Sequence, residues 1–296
     1  MFVPAGFPLR PLALAAVLTA ALPATAEAAS SFVIKVNLSV AMSGNVTPGD
    51  LPGFPITITR PGLYQLDGNL DIRKQSNPQN VNVIQITSDD VTIDLSGFEI
   101  LGPTSCSGHP PICAPVGTGD GISSSKDNIV VQNGTIRGMG SDAIALNNSA
   151  RISNVRAISN GGDGIAVLDT SIVENCTVQS NGDDGIQVGN TSTVRGNVVK
   201  DSKEQGIVAL NASTVMGNSV FRNGLQGIFT TGACTVTGNT SVGQATSFGL
   251  SLGAGSGYGG NVLTDNNGPV GNNNPQVTGA GIQIAPNVCG TDTVCP

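Results

Sequence analysis

Asn160-Gly161-Gly162-Asp163-Gly164-Ile165-Ala166-Val167-Leu168 and, 21 residues on, Asn181-Gly182-Asp183-Asp184-Gly185-Ile186-Gln187-Val188-Gly189 are two versions of one phrase. Its last part returns as Gly121-Ile122, Ala143-Ile144, Gly164-Ile165, Gly185-Ile186, Gly206-Ile207, Gly227-Ile228 and Gly249-Leu250, in steps of 21 or 22 residues. A second series keeps the same period: Asn133, Asn154, Asn175, Asn197, Asn218, Asn239 and Asn261. A fixed period of this length means a solenoid in which each repeat packs mainly on its neighbours. Between one Gly and the next, the apolar residues fall into three short runs, as in Ile165–Leu168, Ser171–Val173 and Cys176–Val178. Three strands per turn make a coil of a parallel β-helix, with successive coils about 4.8 Å apart. Asn and Gly tolerate the left-handed backbone of a sharp corner, and stacked Asn side chains can bond along the stack, so both series are expected to be architectural.

Composition agrees with this reading. Only 11% of residues are charged and Gly numbers 40, which disfavours long helices and favours strands joined by turns. The 20 acidic residues outnumber the 13 basic ones and no basic run occurs, which excludes nucleic acid as a natural partner. Periods of 18 and of nine, needed for left-handed six-residue helices and calcium-binding nonapeptide repeats, do not fit. Leucine-rich repeats fail on the scarcity of Leu and the lack of a helical half.

Outward from the repeats, residues 1–29 read as a removable export signal. Arg10 precedes an apolar run from Pro11 to Leu22 and a small-residue site at Ala24-Thr25-Ala26 or Ala26-Glu27-Ala28. The run is too short to span a bilayer. The expected address is therefore secreted or periplasmic, with residues 30–296 as a single β-helix domain. Within it, 31–60 are expected to cap the start, 61–253 to form coils interrupted by a projecting loop at 102–119, and 254–296 to supply a last coil and the end cap. An oxidising address suits local disulfides for Cys106 with Cys113 and Cys289 with Cys295. Cys234 shares the phase of Ala150, Ser171, Ser192 and Ser213 and is expected to point inward. No Cys-x-x-Cys exists, and His109, the only histidine, has no spaced partner for a metal.

The residue before each Gly-Ile is where chemistry could sit. Asp120, Asp142, Asp163 and Asp184 occupy it, followed by Gln205 and Gln226, with Asp183 and Glu204 alongside. Stacking would set successive carboxyls about 5 Å apart and alternate ones about 10 Å apart. Glycoside hydrolases use carboxyl pairs at roughly 5 to 9.5 Å. Close carboxyls also raise one another's pKa, and they attract Ca²⁺. Asp163, Asp183 and Asp184 are thus candidate acid, base or Ca²⁺ ligands, with Asp142 and Gln205 as flanking substrate contacts. The plain alternative is that Asp before Gly is a turn residue, repeated because corners repeat. Two residues after each Gly runs a small, apolar, outward column of Ser123, Ala145, Ala166, Gln187, Val208, Phe229 and Ser251, in which Gln187 and Phe229 are the candidate contacts. Lys200, Lys203 and Arg222 read as scattered residues solvating outer faces.

The phrases Val91-Thr92-Ile93-Asp94-Leu95-Ser96-Gly97-Phe98, Gly196-Asn197-Val198, Gly260-Asn261-Val262 and Asp-Gly-Ile resemble the bacterial right-handed β-helix repeat proteins of the pectin-lyase-like superfamily. The resemblance runs from about Ile56 to Ile284. It implies an extracellular polysaccharide as binding partner or substrate, though the superfamily also holds phage tail proteins and adhesins. Asn181 to Ile186 is similar to the Asp-Asp strand start of the polygalacturonase family, which would set Asp183 and Asp184 beside the scissile bond with Asp163 one coil below. The His-containing and Arg-x-Lys motifs of that family are missing, as are the Asp-Pro-His motif of alginate epimerases and the arginine motifs of pectate lyases. A non-catalytic structural or surface-interaction protein is the other expectation.

Overall fold

The computed structural model describes residues 33–244, 246–268 and 275–290, so the leader-like residues 1–29 and Cys295 lie outside the described residues. Each coil follows one rule. In the unit from Gly164 to Asp184, strands Ile165–Val167, Ile172–Glu174 and Thr177–Gln179 are separated by Thr170, Asn175 and Ser180, all left-handed with φ of 55 to 58°. Corners this sharp need positive φ, which short polar side chains tolerate best.

The first strands of successive coils stack into a ten-stranded parallel sheet running from Ile56–Ile58 to Val277–Gly279. The second and third strands form one 18-stranded sheet, because in two early coils they run on without a break, at Val130–Arg137 and Arg151–Ile158. Register follows the repeat: Ile122 pairs with Ile144, and Ile165, Ile186, Ile207, Ile228 and Leu250 continue the column, all fully buried. Val173, Val194, Val215 and Val236 form a facing column, so the core is a stack of like residues. Truncating one such Ile to Ala would cost about 2–5 kcal/mol. The glycine before it is needed for the same close packing, since a Cβ at Gly164 would overlap Val178 Cγ1.

The Asn series divides into two roles. Asn133, Asn154 and Asn175 are left-handed corner residues with φ of 62, 55 and 55°. From Asn197 onward a glycine takes that corner, with φ of 63 to 66° at Gly196, Gly217, Gly238 and Gly260. The Asn one place later is buried instead. Asn197 and Asn218 each pass their own N–H and their Nδ2–H to the Oδ1 of the Asn one coil on, at 2.9 to 3.0 Å. Earlier coils fill the same inward place with Val155 and Cys176. The expectation of one architectural role is therefore corrected to two, and the step of 22 between Asn175 and Asn197 marks the change.

At the start, the short helix Leu38–Ser43 is capped by Asn37, whose side chain accepts the Val40 N–H. The first strand of the ten-stranded sheet is closed by side chains: Asp50 accepts the Thr57 N–H at 2.7 Å, and Thr47 accepts the Thr59 N–H at 3.0 Å. These bonds occupy groups that would otherwise template another strand.

The segment expected to project does not. Ser105–Ser107 and Ile112–Ala114 pair as an antiparallel hairpin joined by the Cys106–Cys113 disulfide. It folds back over the coil corners, where Gly140, Gly161, Gly182 and Gly224 present no side chain. A Cβ at Gly161 would overlap the Gly140 carbonyl, and the track is interrupted by Lys203, which stands at the same phase between Gly182 and Gly224. The bare track the glycines leave is covered: the Cβ position of Gly161 is 3.1 Å from Val116, that of Gly182 is 3.2 Å from Cys113 Sγ, and that of Gly224 is 3.3 Å from Pro110. Cys234, as its phase implies, is buried, and so is Cys176, whose thiol burial pushes up to about 12. Among the described residues no helix is long and apolar enough to cross a membrane.

Candidate functional site

The acidic column stands at the corner leading into the ten-stranded sheet, and its backbone arrangement is regular. Asp142 N–H donates to Asp120 Oδ1 at 3.2 Å, Asp163 N–H to Asp142 Oδ1 at 2.7 Å, Asp184 N–H to Asp163 Oδ1 at 2.8 Å, and Gln205 N–H to Asp184 Oδ1 at 2.8 Å. Each carboxyl thus spends one oxygen on the next coil. The buried Asn and Ser columns run the other way, each side chain accepting from the coil before it.

Asp163 and Asp184 are buried, Asp120 and Asp142 half-buried, and Asp183 exposed. One carboxylate oxygen from each of Asp163, Asp183 and Asp184 lies within 4.8 Å of the others. Burial pushes the Asp163 carboxyl up to about 8, with the negative charges of Asp142, Asp184 and Asp183 adding to it. Burial likewise raises Asp184 to about 7, helped by Asp183 and Glu204, and Asp142 to about 6, helped by Asp120 and Asp183. Asp120 is also raised by burial. Backbone N–H donors oppose these shifts without cancelling them. At neutral pH Asp163 and Asp184 are partly protonated carboxyls beside one exposed side chain, Asp183. That is the raw material for proton transfer or for a divalent cation. As a cation site the trio offers three carboxyls, two of which already spend an oxygen on backbone, so Ca²⁺ would draw most of its six to eight oxygens from water.

The structure brings Asp163, Asp183, Asp184 and their flanking residues Asp142 and Gln205 into this one corner. Gln187 and Phe229 stand apart from it, on the outward face of the ten-stranded sheet, in one column with Val208 between them. Beside that column is a groove of about 420 Å³ lined by Ser124, Ala145, Ala166, Leu168, Gln187 and Leu210 among others. Gln187 is exposed on it and Phe229 is half-buried further along the sheet.

Sequence reasoning missed a second gathering of polar groups. Asp201 Oδ1 accepts Arg222 Nε at 3.0 Å and lies 2.8 Å from its terminal nitrogen, and His109 Nδ1 of the hairpin approaches the same oxygen at 3.7 Å. The Arg222 guanidinium sits 4.9 Å from the centre of the exposed Phe221 ring, and Lys200 pairs with Phe221 in register. Lys200 and Arg222 therefore share one patch, while Lys203 lines a cavity under the hairpin. The signal was available, because Asp201 and Arg222 share a phase, as do Lys200 and Phe221, each pair 21 residues apart.

The comparisons agree with this architecture. The family described as the right handed beta helix region matches residues 112–242 and, in an overlapping placement, 144–288. The periplasmic alginate epimerase AlgG superposes with a TM-score of 0.51 at 13% identity, over 78% of this chain and 70% of that one. The A-module of a mannuronan C-5 epimerase from Azotobacter vinelandii follows with a TM-score of 0.46 at 12% identity, over 80% and 76%. The pectate lyase Pel9A is similar at a TM-score of 0.35 and 12% identity, over 89% and 81%. No curated protein matches by sequence. With the period, the parallel stacking and the family match in agreement, this chain belongs to the right-handed β-helix family.

Proposed function

We propose that this is an exported β-helix protein that binds, and through its acidic corner acts on, an extracellular polysaccharide. The observation carrying the reading is the convergence of Asp163, Asp183 and Asp184, two buried with raised carboxyls and one exposed. A buried acid that keeps its proton near neutrality can donate it to a glycosidic oxygen, and an exposed carboxylate beside it can serve as base. A linear sugar chain would lie along the outward face of the ten-stranded sheet, where the column from Ala145 to Phe229 offers a path with Gln187 as hydrogen-bonding partner. Between Asp184 and Gln187 only Gly185 and Ile186 intervene, so corner and path are contiguous. Ca²⁺ held by the same carboxyls is the cofactor this reading admits. The leader-like start and the Cys106–Cys113 disulfide support a secreted or periplasmic address.

A second reading has an observation of its own. The Oδ1 atoms of Asp120, Asp142, Asp163 and Asp184 all bind the backbone of the next coil, which suits a non-catalytic structural or surface-interaction protein whose corners are purely architectural. A calcium titration combined with depolymerisation assays over a broad polysaccharide panel separates the two, using wild type, Asp183→Asn and Asp184→Ala. Product formation that is lost in both variants supports the first reading. Equal inactivity of all three proteins across the panel, with no calcium response, overturns it in favour of the second.

A further inference from the structure

We propose that the tip of the disulfide hairpin and the coil corners beneath it form a separate subsite for an anionic sugar, one bearing a carboxylate or a sulfate. The site is built from Phe221, Arg222, Lys200, Lys203 and His109 around the buried Asp201. It deepens the polysaccharide reading by naming a class of sugar, and its residues are distinct from Asp142, Asp163, Asp183 and Asp184.

Four observations converge here. First, Phe221 is a large aromatic ring left 41% exposed on a sheet face, in a chain with no Trp and two Tyr, both of them buried. Such a ring offers an apolar face to the C–H side of a pyranose. Second, Arg222 lies over that ring while its fork is held by Asp201, so the guanidinium is oriented before any ligand arrives. Its side chain stays about half exposed, leaving donors for a ligand oxygen.

Third, the corner column containing these residues departs from its neighbours. Earlier coils carry Ser159 and Ser180 at this left-handed position and later ones carry Gly243 and Asp265, so that Arg222, at φ of 49°, is the long side chain among short ones, with Asp201 one coil before it at 56°. Arginine is an uncommon occupant of that backbone region, and such residues gather at functional sites. Fourth, the charge is local and of the required sign. Arg222 and His109 approach Asp201, Lys200 stands in register with Phe221, and Lys203 lines the cavity under the hairpin, in a molecule whose net charge is −7. A cavity of about 310 Å³ beside them, under the hairpin, is lined by Pro111, Ile112, Val116, Gly161, Gly182 and Lys203, with the Cys113 side chain at its wall. An aromatic platform, an oriented guanidinium and flanking ammonium groups together suit an acidic sugar better than a neutral one.

Calorimetric titration of the full chain tests this with three probes of equal length: an oligouronide, a sulfated neutral oligosaccharide and its unsulfated parent. At low salt the anionic probes should bind at least about tenfold more tightly than the parent, with the advantage shrinking as salt rises. The probe that binds more tightly identifies the carboxylate or the sulfate as the recognised group. Arg222→Gln should weaken anionic binding about tenfold, and Phe221→Ala about fivefold for every sugar bound. Arg222→Gln also leaves Asp201 without its partner, so Lys200→Gln, which breaks no buried pair, is the companion variant and should weaken anionic binding about threefold. Equal affinity for all three probes, or anionic binding unchanged in Phe221→Ala and Lys200→Gln, overturns the proposal. The acidic corner is judged by product formation and this site by binding at the tip, so each can fail without the other.

Discussion

The coils up to Asp184 and those from Gln205 onward share a backbone but satisfy it differently. In the first group the corner into the ten-stranded sheet carries Asp120, Asp142, Asp163 and Asp184, each bound to the backbone of the next coil. In the second the same place carries Gln205 and Gln226, and the buried Oε1 of Gln226 has no partner. Polar investment there moves to the other corner, where Asn197, Asn218, Asn239 and Asn261 form a buried, neutral ladder. The second group stacks in the same register without any carboxyl in the column. The acidic column is therefore more than the fold demands, and it costs stability wherever its carboxyls must ionise.

The comparison breaks most sharply within the Asn series. Asn218→Ala would leave the Asn197 N–H and one of its two Nδ2–H groups without partners in the core and remove the bond that Asn218 donates to the Val194 carbonyl. A loss of about 3–5 kcal/mol is expected by urea unfolding. Asn154→Ala, at an exposed corner with φ of 55°, should lose only about 1 kcal/mol. Equal losses would abolish the distinction between the two groups of coils.

Next in size is the pH response of the acidic column. Its folded carboxyls lie above their unfolded values, so the stability they contribute is full below about pH 4 and is lost as pH rises through about 6, 7 and 8. Between pH 5 and 9 the wild type should lose several kcal/mol in metal-free buffer, at about 1.4 kcal/mol for each unit by which a folded midpoint lies above 5. Asp163→Asn, which keeps an oxygen for the Asp184 N–H, should flatten that slope and be the more stable protein at pH 9. If Ca²⁺ binds the trio, adding it should restore stability at pH 9 to wild type and not to Asp163→Asn.

The smallest effect extends the first group into the second. Gln205→Asp adds a carboxyl one coil beyond Asp184 and beside Glu204, and should cost about 1 kcal/mol at pH 8 and little at pH 5. Thermal melting at the two pH values measures it.

Much of this was legible before any coordinates. The Gly-Ile phase set the strand columns, because a parallel coil repeats its inward residues at one spacing, and the acidic column followed from the same spacing. The division of the Asn series was written in the first step of 22, from Asn175 to Asn197, which shifts Asn197 one place relative to its corner. The hairpin could not be read that way, since it lies over Gly161, Gly182 and Gly224, which share a phase but read in sequence only as turn residues. Asp201, Arg222, Lys200 and Phe221 were legible as pairs of equal phase, yet the phase of the Gly-Ile phrase alone does not draw attention to them. Charge and aromaticity become a site only when a hairpin from residues 105–114 arrives beside them.

The most direct measurement is the titration of individual carboxyl groups by carbon-13 NMR in metal-free buffer, with Asp163→Asn and Asp184→Asn supplying the assignments. Midpoints near 8 for Asp163 and near 7 for Asp184, with the Asp163 midpoint lowered in Asp184→Asn, are the result expected of a buried, coupled acidic corner. Midpoints near the ordinary carboxylate value of about 4 for both would contradict it and leave the column as corner architecture alone.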